Sequence, residues 1–132
     1  PDPMTVEGDR TQLEQVVLNL LINADDALTE TQATIILRCE PANEHTPGLH
    51  TNQHNRPAED FIVIRIRDNG IGMDDEILAH LFEPFFTTKT DKGTGMGLAM
   101  VYGCIENHHG WIYVESEPGK GTEFFVYLPR VK

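Results

Sequence analysis

The chain reads as an α+β domain, a two-layer α/β sandwich with helices packed on one face of a mixed sheet. Three observations predict this. Helical spacing of apolar residues governs two well-separated stretches, strand-like stretches come in pairs beside them, and no β-α-β unit repeats. The resulting order, α, β, β, α, loop, α, β, β, disfavours a doubly wound parallel sheet and favours segregated layers. With 132 residues there is material for one domain, which usually takes about 100 to 200.

The first helix is marked by Leu13, Val16, Val17, Leu20, Leu21, Ala24, Ala27 and Leu28, the 3, 4, 7 spacing of one face. Asp9 and Gln12 precede it as a capping box of the form D-x-x-Q. Segments 33–39 (ATIILRC) and 61–68 (FIVIRIRD) are rich in β-branched residues and predict two strands. The 18 residues 41–58 between them, PANEHTPGLHTNQHNRPA, hold three prolines and three histidines and predict a mobile insertion loop. His45, His50 and His54 follow no metal-ligand spacing and read as solvated loop residues.

After the second strand, Asn69-Gly70 signals a turn, and a short helix is expected from near Asp74, with acidic residues in its first turn. Residues 86–97 (FTTKTDKGTGMG) show no apolar periodicity and predict a flexible loop. Leu98, Val101, Tyr102 and Ile105 restore a helix, which Gly110 is expected to end with a positive φ. WIYVESE and GTEFFVYLP then alternate in period 2 about Pro118-Gly119, the pair preferred at the centre of a type II turn, and predict a closing hairpin.

Ten Lys plus Arg against 21 Asp plus Glu leave a net charge of −11, which opposes binding along a nucleic-acid backbone or an anionic membrane. An anionic ligand would need a local device, such as backbone amides, a few lysines or a divalent cation. Cys39 and Cys104 sit in apolar stretches without CxxC spacing and read as buried free thiols of a reducing compartment. No apolar run approaches a membrane span, and the start is acidic without a signal-peptide core. A cytoplasmic domain is therefore expected, compatible with a parent protein anchored in a membrane elsewhere.

Three elements point to chemistry. On a helical wheel Asn19, Asn23 and Asp26 cluster within about 60°, and with apolar Leu18 and Ile22 beyond them the strip is expected to line a cleft. Two amides and a carboxylate offer oxygen ligands to a hard cation such as Mg²⁺, or else satisfy neighbouring backbone groups. Ile62, Ile64, Ile66 and Asp68 share one parity, so a carboxylate ends an apolar row and needs a donor, for which the amino edge of a purine is suited. Gly70 and Gly72 after it would allow close approach of backbone to a ligand, although Asp68 could instead cap an Asp-Asn-Gly turn. The third element is Gly93-Thr94-Gly95-Met96-Gly97-Leu98 at the mouth of a helix, with Lys89 and Lys92 upstream. Free amides and the helix dipole favour phosphate there, though the run is neither Walker A nor the Rossmann spacing, and a loop without a ligand is the alternative.

In order along the chain, QVVLNLLINADDAL, DNGIGM, LFEPFFTTK and GTGMGL resemble the N, G1, F and G2 boxes of the catalytic and ATP-binding domain of sensor histidine kinases. That family lies in the gyrase, MutL and chaperone ATPase superfamily. HGWIYVESEPGKGTEFFVYLP resembles the closing hairpin of the same domain, so the likeness spans 1–132 as one Bergerat-type ATP-binding domain, with 86–97 as its lid. The resemblance implies Asn23 as Mg²⁺ ligand, Asn19 as its neighbour near the phosphates, and both as the catalytic pair. Asp68 would accept from the adenine amino group, Gly70 and Gly72 would shape the adenine pocket, and Thr122 would add a polar contact. Gly93, Thr94, Gly95, Met96, Gly97 and Leu98 would release the lid and present amides to the phosphates, while Phe85 and Phe86 anchor its base. Where many histidine kinases carry Lys, this chain has Asp26, and Lys89 and Lys92 are the candidates to replace that phosphate contact.

The implied partners are ATP, a dimerisation and histidine phosphoacceptor domain of the same protein, and a response-regulator receiver domain; nucleic acid is not one. Two rivals stand beside this reading: a superfamily ATPase that hydrolyses ATP, and a degenerate nucleotide-sensing or partner-binding module. His80 opens an H-x-x-x-P match but lies inside the F box, and it reads as a surface or packing histidine; neither His108 nor His109 resembles the acceptor.

Overall fold

A computed structural model of the chain describes residues 5–28, 33–49, 57–83 and 97–131. Its elements are α1 (Arg10–Ala27), β1 (Ile35–Pro41), a 3₁₀ turn at Ala58–Asp60, β2 (Phe61–Asp68), α2 (Asp75–His80), α3 (Gly97–Asn107), β3 (Trp111–Glu117) and β4 (Gly121–Pro129). The strands form one sheet in the order β1-β2-β4-β3. Every pairing among the described residues is antiparallel, where a mixed sheet was expected. The reason is the insertion of β4: β2 and β3 run parallel, but β4 lies between them and reverses each contact.

One face of the sheet carries the helices. Ile62, Ile64 and Ile66 stand opposite Leu128, Val126 and Phe124, and the last two stand opposite Ile112 and Val114. Onto this face α1 presents Val16, Leu20 and Ala24, and α3 presents Val101 and Ile105, all buried. Each large aliphatic side chain so buried contributes about 1.5–3 kcal/mol, and these rows hold the layers together. The helical face of α1 is thus the one its periodicity predicted.

Two helix ends show where local chemistry was legible only in part. At α1, the Asp9 side chain accepts from the Gln12 amide at 3.0 Å, as expected of a cap, but the Asp9 amide donates to His108 Nε2 at 3.1 Å. The reciprocal half of the capping box is therefore supplied by His108, the residue that follows α3. At the end of α3 the positive φ belongs to His109 (65°) and not to Gly110. The His109 amide donates to the Glu106 carbonyl and the Gly110 amide to the Ile105 carbonyl, a Schellman arrangement with His109 at the left-handed position. Gly110 is required for another reason, since a Cβ there would lie 1.9 Å from the Tyr127 carbonyl oxygen.

The cysteines are free but not buried as expected: Cys39 is exposed and Cys104 partly so. β1 is an edge strand, and the helical layer reaches Ile35 but leaves Leu37 and Cys39 in solvent. Leu18 and Ile22 of α1 are likewise about half exposed, at 49% and 50%.

The opposite face holds a second core of Phe61, Val63, Phe125 and Tyr127, with Trp111 and Tyr113 against it. The first part of the 41–58 connection covers it, with Ala42 buried and Leu49 packed on the aromatics; residues 50–56 lie outside the described ones. Trp111 stacks on Tyr127 with ring centroids 4.3 Å apart. The Tyr127 hydroxyl donates to the Pro47 carbonyl at 2.5 Å, and Trp111 Nε1 donates to the Gly48 carbonyl at 3.3 Å. Burial pushes the Tyr127 phenol far above its ordinary pKa. Beyond the aromatics, Arg65 bonds Glu123 at 2.8 Å and Glu40 at 3.1 Å, and its guanidinium lies over the Phe125 ring.

Tyr127→Phe removes one of the two side-chain donors that tie the connection to the sheet, the one that reaches the Pro47 carbonyl. Urea unfolding is expected to show a loss of about 1–2 kcal/mol with an unchanged m-value.

Candidate functional site

The helix-bearing face of the sheet turns polar at one end. Asp68 ends β2, stands opposite Thr122 of β4, and Thr122 in turn stands opposite Ser116 of β3. Asp68 and Thr122 are 3% and 5% exposed, the two buried polar side chains among the described residues. A carboxylate this deep is tolerated because backbone donors reach it: Gly70 N–H donates to its Oδ1 at 2.9 Å, and Thr122 N–H also bonds it. Burial raises its pKa from the ordinary carboxylate value and outweighs those two bonds, which lower it. Ionised, the group offers about four acceptor sites, so two backbone donors leave capacity for a ligand.

Backbone meets backbone around this carboxylate. A Cβ at Gly70 would lie 2.1 Å from the Ala27 carbonyl oxygen at the end of α1, and the same carbonyl accepts from Ile71 N–H at 2.9 Å. At Gly72 (φ 69°) a Cβ would lie 1.9 Å from the Glu117 carbonyl oxygen, and at Gly121 (φ 106°) 2.1 Å from that of Asp68. Gly119 N–H donates to the Ile71 carbonyl at 2.7 Å. The turn after Asp68 is thereby clamped to the end of α1 on one side and to the β3–β4 turn on the other. The close approach these glycines permit in the structure is to protein backbone, a use the sequence reading did not consider.

Ser116 was missed from sequence, as was Gly121. Ser116 Oγ accepts from Met73 N–H at 2.8 Å, donates to the Gly121 carbonyl at 3.0 Å, and lies 2.7 Å from Thr122 Oγ1. The available signal was parity: Ser116 interrupts the row Ile112, Val114 much as Asp68 interrupts its own.

On α1, Asn19 and Asn23 are both partly buried, and Gln15 Nε2 donates to Asn19 Oδ1 at 2.9 Å. Asn19 faces a groove of about 390 Å³ between α1 and α3, lined also by Gln15, Met100, Cys104 and Asn107. Asn23 and Asp26 lie in the last two turns of α1, whose end is bonded to the turn after Asp68. The structure thus joins Asp68, Gly70, Gly72 and Thr122 in one cluster and sets Asn19 apart from them, in the groove between α1 and α3. Gly97 and Leu98 open α3, Gly97 exposed and Leu98 packed on the core. Lys89, Lys92, Gly93, Thr94, Gly95 and Met96, with Phe85 and Phe86, lie outside the described residues.

Among the described residues no three His, Cys, Asp or Glu side chains gather as a metal site. A divalent cation would therefore depend on amide oxygens such as those of Asn19 and Asn23 together with oxygens of the ligand itself. His80 Nδ1 pairs with Glu83 Oε2 at 2.5 Å near the end of α2, and His108 Nδ1 lies 2.8 Å from the Cys104 carbonyl. No helix among the described residues is long and apolar enough to cross a membrane.

Comparison with known proteins matches residues 8–132 to the family described as histidine kinase-, DNA gyrase B- and HSP90-like ATPase. Sensor kinase CckA of Brucella abortus (strain 2308) is 46% identical over 132 residues, covering 98% of this chain and 14% of that protein. Sporulation kinase A of Bacillus subtilis (strain 168) is 35% identical over 129 residues, covering 98% of this chain and 18% of that protein. The chain thus spans less than a fifth of the length of either relative. Among solved structures, the nucleotide-free catalytic domain of histidine kinase ThkA superposes with a TM-score of 0.73 at 30% identity, covering 98% of this chain and 74% of that one.

The raised pKa of Asp68 has a signed consequence. Between the ordinary carboxylate pKa and the raised folded value, the folded state keeps a proton that the unfolded chain releases, so stability falls as pH rises through that window. Asp68→Asn, which can still accept from Gly70 N–H, is expected to remove that component. Urea unfolding of both proteins from pH 3 to 7 should show the variant gaining on the wild type as pH rises. Parallel curves would contradict the assignment.

Proposed function

The chain belongs to the histidine kinase-, DNA gyrase B- and HSP90-like ATPase family, and from that membership we propose that it binds ATP with Mg²⁺ and donates the γ-phosphate to a histidine. The acceptor histidine sits on a separate dimerisation domain, and the phosphoryl group passes onward to an aspartate of a response-regulator receiver domain. The observation that carries the reading is the buried Asp68 carboxylate beside Thr122 at the polar end of the sheet. It has acceptor capacity to spare, and a purine amino group would supply a further donor. A guanine would set O6, another acceptor, against it.

The residues fit the rest of the ligand by their chemistry. Asn19 and Asn23 offer amide oxygens suited to Mg²⁺ that is held mainly by phosphates. Asn19 and Asn23 would hold such a cation through their amide oxygens, and the chemistry it would supply is neutralisation of charge during transfer. Lys89 and Lys92 would lower the repulsion between an acidic chain and the nucleotide, while the amides of Gly93, Thr94, Gly95, Met96, Gly97 and Leu98 would bind phosphate oxygens at the start of α3. Asp26 leaves the usual lysine contact to those two side chains. Because the amide of Asn19 cannot deprotonate water, the N box favours transfer to a positioned histidine over hydrolysis. The domain acts in the cytoplasm, in signal transduction of the two-component type.

Calorimetry with Mg²⁺ is expected to show ATP bound in preference to GTP, with Asp68→Asn losing about 1.5–3 kcal/mol, the scale of a hydrogen bond to a charged group. Equal ATP affinity in the two folded proteins would refute the adenine assignment. With radiolabelled ATP the chain alone should stay unlabelled, and adding the dimerisation domain of its parent should yield an acid-labile, alkali-stable phosphohistidine. Rapid phosphate release by the chain alone would favour the hydrolase, and stoichiometric label on His80, His108 or His109 would overturn the placement of the acceptor.

A further inference from the structure

We infer that Ser116 is a positioning residue that fixes the Thr122 hydroxyl as an acceptor toward the bound base; this rests on the nucleotide reading above. A serine hydroxyl has one proton and two lone pairs. Ser116 Oγ touches three polar groups: Met73 N–H at 2.8 Å, the Gly121 carbonyl at 3.0 Å and Thr122 Oγ1 at 2.7 Å. Met73 N–H can only donate and the Gly121 carbonyl can only accept. Ser116 therefore spends one lone pair on Met73 and its proton on Gly121. All three contacts are hydrogen bonds together only if Thr122 O–H donates into the remaining lone pair. With its proton committed to Ser116, Thr122 Oγ1 keeps only acceptor capacity.

Thr122 stands directly opposite Asp68 and is equally buried, while its backbone N–H, not its hydroxyl, bonds the carboxylate. The floor of the proposed base site is thus two acceptors side by side. A group bearing two N–H donors suits that pair, whereas a keto oxygen finds no donor. Without Ser116, the Thr122 hydroxyl is free to turn its proton toward the ligand, and the floor becomes tolerant of a keto oxygen. The same three bonds tie β3, β4 and the turn at Met73, so the side chain that sets the proton also sets the spacing.

The test compares ATP with inosine triphosphate, which carries a keto oxygen where adenine has its amino group. Calorimetric affinities for both are measured with Mg²⁺ in the wild type, Ser116→Ala, Ser116→Thr, Thr122→Val and the Ser116→Ala/Thr122→Val pair. The wild type should prefer ATP, and Ser116→Ala should reduce that preference about tenfold, the size of one hydrogen bond. Ser116→Thr, which keeps the hydroxyl, should restore it. In the Thr122→Val background Ser116→Ala should leave the preference where Thr122→Val alone puts it. A merely structural role for Ser116 would lower both affinities and the melting temperature together and leave the preference unmoved, and that outcome overturns the inference. Should Ser116→Ala not fold, Ser116→Cys keeps the volume with a weak donor and acceptor, and an unchanged preference there is equally decisive. If the wild type binds neither nucleotide, the nucleotide reading itself fails; if it binds ATP selectively and the variants match it, only the role of Ser116 does.

Discussion

A carboxylate taken out of water at the end of an apolar sheet face dictates how much of its surroundings must be built. Asp68 needs donors within reach, and the chain supplies them from backbone, through Gly70 on its own turn and Thr122 on the neighbouring strand. Those amides hold position only if the turn after Asp68 is fixed, and it is fixed by contacts so close that no Cβ fits at Gly70, Gly72 or Gly121. The end of α1, the turn and the closing hairpin thus form one rigid unit around a single buried charge. Leaving that charge without donors would cost several kcal/mol, a sizeable part of the stability of a domain this small.

Much of this was legible in the sequence, for a physical reason. The strands and helices that bury one face carry strict periodicity, so α1, α3, β2 and the final hairpin follow from spacings such as Leu20 to Ala24, Val101 to Ile105, Ile64 to Ile66 and Phe124 to Val126. The carboxylate ending β2 stood out by parity. What stayed hidden lies in contacts between segments distant in sequence. Gly110 looked like a helix terminator, yet its smallness serves the Tyr127 carbonyl, while His109 takes the positive φ. The Asp9 amide turned to His108, about a hundred residues away, where a local rule pointed to Gln12. The cysteines looked buried because their neighbours are apolar, but β1 is an edge and its helical cover stops at Ile35. Ser116 carried no motif; its meaning comes from three partners on three different segments.

The charge balance also acquires a local sense. A chain with net charge −11 repels a nucleotide at long range, so attraction has to come from groups that act at contact. Backbone amides and amide side chains work at that range without altering the charge of the chain, and a cation carried in by the ligand would offset the ligand's own charge. Under the nucleotide reading proposed above, discrimination by such a site would be a matter of donor and acceptor placement, and the orientation of one hydroxyl proton would bear on the choice of base.

The second aromatic core gives the sheet a division of labour. Trp111, Tyr127 and the chain from Ala42 to Leu49 lie on the side away from α1 and α3, while Asp68, Thr122 and Ser116 belong to the helix side. Four strands of backbone stand between them as a partition. Changes in the chain from Ala42 to Leu49 therefore act first on the aromatic core and reach the cluster of Asp68, Thr122 and Ser116 only through the sheet. A reporter attached on that side would stand a full sheet away from the polar cluster.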